Sequence, residues 1–284
     1  MSETRVDSHV VRESSIAGTW YPGRRDDLDA LVAKYLAEAP AATLGGELVG
    51  LIAPHAGYVY SGAVAAHAYS LLGSRHYDLV AVISPSHRHY AGNLLVSRKS
   101  YYRTPLGLVE VAHDLVRQIG SEVRLEGVER DEEHSLEIQL PFLQHQLGTF
   151  RLVPIMMEDQ SFGLASRLGR ALAAVLAGKS ALLVASTDLS HFHTYDRAAA
   201  LDRRALADIE RFDPEGLDHD VSAGVAEACG YGAVSAVLVA ARAAGADKVT
   251  ILKYANSGDV TGERNRVVGY GAAAISMAAR PEGS

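Results

Sequence analysis

What the chain has little of narrows the field before any motif is read. It holds one cysteine in 284 residues, Cys229, so no disulfide can form within it and the thiol is left to pack, react or bind. No apolar run reaches the roughly 18 residues that a membrane span needs. The N-terminal MSETRVDSHVVRESS lacks the apolar core of a secretion signal, and no Pro/Ser-rich linker, low-complexity tract or fixed-period repeat divides the sequence. Lys and Arg gather on no segment, and the formal charge is −7 at pH 7, which gives no electrostatic footprint for DNA or RNA. These absences predict a cytoplasmic protein with neither a membrane nor a nucleic acid as partner.

About half of the chain is apolar (48%), enough for a sizeable core. Apolar runs bounded by turn residues alternate with Ala-rich segments of helical period. Strands are predicted over 48–53, 79–84, 94–97, 151–155, 181–186, 249–254 and 267–276, and helices over 25–37, 62–72, 162–176, 196–211 and 227–243. The segment 135–147, SLEIQLPFLQHQL, carries Pro141 inside a helical reading. The expectation is a single α/β domain over 11–278, with a mostly parallel or mixed sheet flanked by helices on both faces and loose termini at 1–10 and 279–284. A homodimer is compatible with the sequence and not required by it.

Three of the apolar runs end alike. LVGLIA runs into Pro54-His55-Ala56-Gly57, LVAVIS into Pro85-Ser86-His87, and ALLVAS into Thr187-Asp188-Leu189-Ser190-His191. In open α/β sheets ligands sit beyond the carboxyl ends of the strands, so His55, His87 and His191 are predicted to face one site. Pro54 and Pro85 fix φ and remove a ladder donor just before two of these histidines, which ends the strand and holds the imidazole in a set direction. Metal ligation and acid/base chemistry both need that rigidity. In Asp131-Glu132-Glu133-His134-Ser135-Leu136-Glu137, Glu132 and Glu133 read as an acidic helix entrance. His134 and Glu137, three residues apart, can both point inward. His67 and His145 read as structural or surface residues, while His89 and His193 lie two positions beyond the favoured ones. Cys229, taken alone, reads as a small buried hydrophobe. Gly230-Tyr231-Gly232 makes no dinucleotide fingerprint.

Taken in order, AGTWYP, IAPHAGYVYSG, SPSH, YRTPLG, DEEHSLEIQLP, STDLSHF, ACGYGAV and KYANSGD resemble the Memo family across 11–277, nearly the whole chain. The resemblance implies the fold of the class III extradiol dioxygenases, which open catechol rings with non-haem iron(II) and O2. It also implies a metal site on His55, His87 and Cys229, with Asp188 and His191 lining the same pocket. The dioxygenases proper use two histidines and a glutamate; a thiolate in place of the carboxylate is softer and shifts preference toward copper or zinc, while still able to hold iron. The expected cofactor is therefore iron(II) or copper, with zinc as a further option. Asp188, His191 and His134 are the expected acid/base groups, and Trp20, Tyr58 and Glu137 the expected pocket residues.

Two functions compete: a metal-dependent oxidoreductase acting on a small substrate, and a binding module that uses the same cleft for a peptide or protein. For the second, the family's company of AMMECR1-like and radical-SAM proteins suggests partners. A Ser-His-Asp hydrolase is disfavoured, because no G-x-S-x-G elbow is present and Ser190 and His191 are adjacent.

Overall fold

The computed structural model of the protein describes residues 10–40, 44–73 and 75–278; apart from Val10, the expected loose termini lie outside the described residues. The strands Gly107–Val111, Arg151–Met157, Leu79–Pro85, Ala181–Ser186 and Gly46–Ala53 lie side by side in that order, all parallel. Val267–Ala278 then joins antiparallel to Gly46–Ala53, and Lys248–Asn256 antiparallel to it, so the sheet is mixed. All seven residues of Leu79–Pro85 are buried. Successive strand side chains point to opposite faces, so both faces must be covered, which is why this strand reads as a continuous apolar run.

Phe162–Leu176 and Tyr231–Ala243 pack on each other, and the latter lies against the central parallel strands. Arg25–Glu38, Tyr58–Tyr69 and Leu140–Leu147 form a second group. The seven predicted strands are all present, most of them longer by one or two residues, and short pairings at Val11–Arg12, Tyr101–Thr104, Gly107–Val111, Glu126–Val128 and His191–His193 were not foreseen. Two helix starts differ by four residues each. The second helix starts at Tyr58 rather than 62, because Gly57 ends the turn after His55 and stands at the helix N-cap. The helix expected from 227 starts at Tyr231, since Cys229 is drawn out of helical geometry when its N–H donates to Asp188 O at 3.1 Å. The segment 135–147 splits into His134–Glu137 and Leu140–Leu147, with Pro141 in the first turn of the second helix, where its missing N–H costs nothing.

Register sets up the site. Ala53 pairs with Ser186 across parallel strands, so two residues on, His55 and Asp188 come level beyond the same edge of the sheet. Asp188 Oδ1 accepts the His55 N–H at 2.7 Å. Among the described residues no helix is long and apolar enough to cross a membrane.

Candidate metal centre

His55, His87 and Cys229 come together at that edge, each offering a ligand atom within 4.8 Å of the others. Cys229 Sγ lies 3.1 Å from His55 Nε2 and receives the Asp188 N–H at 3.2 Å. Burial pushes the thiol's pKa up, and the Asp188 charge adds to that. His55 is fully enclosed, and burial, together with the charge that His87, His134 and His191 would carry, holds it well below the ordinary histidine range and therefore neutral. Two imidazoles and a thiol suit zinc, copper or iron, so the donor set fits the ions that the resemblance implied.

The other imidazoles gather around these. His134 and His87 have ring centroids 4.6 Å apart, and His134 and His55 5.6 Å. Burial lowers His134 to about 4, with Glu133 opposing only in part. His191 is also lowered by burial. Asp188 is the reverse case: burial raises its carboxyl to about 7, although the His55 and Ala56 N–H groups resist. These groups open onto a cavity of about 610 Å³, lined among others by Trp20, His134, Asp188, His191, Phe192 and Arg266. A second cavity of the same volume lies at the opposite end of the strands, near Glu47, Arg75 and Lys179, and among the described residues it brings no group of ligand residues together.

Of the residues singled out from the sequence, His55, His87, His134, Asp188, His191 and Trp20 line this one cavity, with Cys229 beneath His55. The Trp20 ring stands 4.3 Å from that of His134. Tyr58 and Glu137 do not line it. Tyr58 is a core aromatic whose hydroxyl donates to Ile138 O at 2.8 Å, packed between Tyr21 and Phe142. Glu137 points into a closed polar cluster, accepting from Arg12, Ser14, the Ser15 N–H and Tyr21. The inward direction foreseen for Glu137 is right, but its partner is the Arg12 guanidinium.

Glu133 corrects the sequence reading most. It is fully buried, and its carboxylate accepts the His87 N–H at 2.6 Å and the Ser135 N–H at 3.0 Å, with Oε1 3.0 Å from His87 Nδ1. Burial alone would raise its pKa, but the His87 hydrogen bond, His134 and Ser135 overcome that and bring it to about 2. Nothing in DEEH separates Glu133 from its exposed-type neighbour Glu132; only the fold does. His89 and His193 are outside the cluster, paired with Glu158 and Glu227.

Gly230 shows why the cysteine is followed by glycine. A Cβ there would sit 2.3 Å from Ser186 O and 2.9 Å from Thr187 Cβ. Gly230→Ala is therefore expected to push the Cys229 turn away from the strand end, cost about 1–3 kcal/mol of stability, and weaken metal binding more than Gly163→Ala, whose added Cβ meets nothing within 4 Å. Thermal denaturation and metal titration of both variants check this; equal effects would count against a close-approach role.

The family model for Memo-like protein matches residues 12–274. A MEMO1 family protein of Methanosarcina mazei is 37% identical over 266 residues, covering 92% of this chain and 98% of that one. Another, from Methanothermobacter thermautotrophicus, is 39% identical over 237 residues, covering 81% of this chain and 86% of that one. The crystal structure of an uncharacterized protein of Escherichia coli K12 aligns with a TM-score of 0.50 at 14% identity, over 79% of this chain and 99% of its own, which is a likeness of fold alone. The ordered sequence blocks, the cluster they build and a family match spanning that cluster agree: the chain belongs to the Memo family.

Proposed function

We propose that the chain is a metal-dependent oxidoreductase, working in a reducing compartment such as the cytoplasm on a small substrate bound in the cavity above His55. The observation that carries this is the convergence of His55, His87 and Cys229 beneath a cavity whose other walls hold groups able to exchange protons. When bound, iron or copper would supply one-electron chemistry toward O2. The chain's own residues supply the rest. Asp188, with a pKa near 7, can hold or release a proton beside the ligands. His191 and His134, both lowered by burial, are neutral near pH 7 and can accept one from a substrate hydroxyl. Trp20 offers an aromatic wall against which a planar substrate would lie.

Metal content of anaerobically purified protein, measured by mass spectrometry for wild type, His55→Ala and Cys229→Ala, tests the reading. Iron or copper near one per chain in wild type and loss in both variants are expected, followed by O2 uptake with a catechol panel. Wild type that stays metal-free after reconstitution with iron(II), copper and zinc would end the proposal.

One observation favours a second reading, in which the cleft holds a peptide or a protein partner, for example an AMMECR1-like or radical-SAM protein. Trp20, Val59, Tyr60 and Phe192 are exposed large hydrophobic residues, and all four line this cavity. Phe192 is 61% exposed with φ at +61°, a strained setting for a bulky side chain, and the Arg266 guanidinium lies 5.1 Å from its ring. Metal binding without O2 uptake on any small substrate would move the weight to this reading.

A further inference from the structure

The hydrogen bonds behind the two imidazoles fix which nitrogen of each is free. Gln139 is 1% exposed. Its Nε2 lies 3.0 Å from Pro54 O, which can only accept, so the amide nitrogen is correctly placed there and its second hydrogen faces Ser186 Oγ at 2.8 Å. Gln139 Oε1 accepts from the Tyr69 hydroxyl at 2.8 Å, in agreement with that orientation. Ser186 Oγ lies 2.6 Å from Ser135 O, again only an acceptor, so its single hydroxyl hydrogen goes there. The hydroxyl then has only lone pairs for its remaining neighbours, and His55 Nδ1, at 2.9 Å, must bring the hydrogen. In a neutral imidazole this leaves the lone pair on Nε2, which is the nitrogen 3.1 Å from Cys229 Sγ.

His87 reaches the same state by a different route. Its Nδ1 faces Glu133 Oε1 at 3.0 Å, and an ionised carboxylate accepts only, so the hydrogen sits on Nδ1. We infer that these two relays preset both imidazoles as Nδ1–H tautomers, making Nε2 the ligating atom of His55 and of His87, and making Ser186, Gln139 and Glu133 positioning residues for the metal centre. The assignment of ligating atoms rests on the metal reading above; the tautomers do not. His partners of this kind orient the ring and raise its basicity, and their loss typically weakens metal binding about 10–100-fold.

The test is a long-range proton–nitrogen-15 correlation spectrum of metal-free protein at pH 8, which separates the two tautomers, followed by cobalt(II) titration, whose thiolate charge-transfer absorption reports Cys229. Wild type is expected to show Nδ1–H for both His55 and His87. Ser186→Ala should release His55 from a single tautomer and weaken cobalt binding about 10–100-fold, while Ser186→Thr, which keeps the hydroxyl, should retain both properties. Glu133→Gln should weaken cobalt binding with the His55 signal unchanged. An Nε2–H signal from His55 or His87 in wild type, or a Ser186→Ala protein with an unchanged His55 tautomer, would overturn the inference. Nδ1–H tautomers in a wild type that takes up no cobalt would uphold the tautomers and sink the metal reading alone.

Discussion

Arg12→Met is expected to destabilise the protein by about 3–5 kcal/mol, the range for removing one partner of a buried ion pair. Arg12 is 3% exposed on a two-residue strand, yet its guanidinium meets Glu137, stands 3.5 Å from Asp131 and donates to Glu133 O at 2.7 Å. Burial opposes its charge, but Asp131 and Glu137 more than offset this and raise its pKa further above the ordinary arginine range. Methionine fills much of the volume and leaves two enclosed carboxylates without their cation. The damage should reach the site, because Glu137 also holds Ser14, Ser15 and Tyr21 and so ties the segment bearing Trp20 to the one bearing Glu133 and His134. Urea denaturation should show a lower midpoint with an unchanged slope. Adding Glu137→Gln to Arg12→Met should recover part of the loss, since the pair is in direct contact and its effects are not additive. A loss under about 1 kcal/mol, the usual scale of an exposed pair, would show that the guanidinium is not what neutralises this cluster.

How much of this was legible in the sequence follows from the range of each interaction. The parallel strands announce themselves because burial on both faces leaves an unbroken apolar run, as in Leu79–Pro85, and the histidines after them are legible because a strand end is a local event. The partners of those histidines are not. Ser186 meets His55 across 131 positions and Glu133 meets His87 across 46, so no spacing rule links them. Gln139 and Arg12 lie in stretches with no periodic signal. Polar residues buried by long-range pairing look in sequence like the surface residues that such types usually are. Tyr58 fails in the opposite sense: it follows the His55 motif closely enough to suggest a pocket wall, but helix geometry turns it onto Phe142 and away from the cavity.

Asp188→Asn is expected to change both the pH profile of stability and the proposed reaction. The carboxyl is 4% exposed, and burial raises it to about 7 from an ordinary aspartate value near 4. A raised folded-state pKa means that the stabilising contribution is complete below the unfolded value and is lost as pH rises through the folded one. In metal-free protein the wild type should therefore lose stability relative to Asp188→Asn between about pH 4 and pH 7, by a few kcal/mol, with a constant difference above that. Asparagine can retain the acceptor for the His55 and Ala56 N–H groups through Oδ1, so the fold of the loop should survive. Comparing the two proteins cancels the histidines, which act in the other direction: His55, His134 and His191 are held low, so each costs stability as pH falls below about 6.5. Glu133, held at about 2, adds a further loss as pH falls through the ordinary carboxylate range toward that value. Denaturation midpoints of the metal-free pair from pH 4 to 9 measure the difference directly, and parallel curves would show that Asp188 is ionised throughout. Under the proposed chemistry the same substitution removes an exchangeable proton beside the metal ligands without removing a ligand. Metal content should then hold while turnover falls about 10²–10⁴-fold, the usual worth of a positioned acid or base. If metal content falls with turnover, Asp188 instead acts by placing His55 through its backbone N–H.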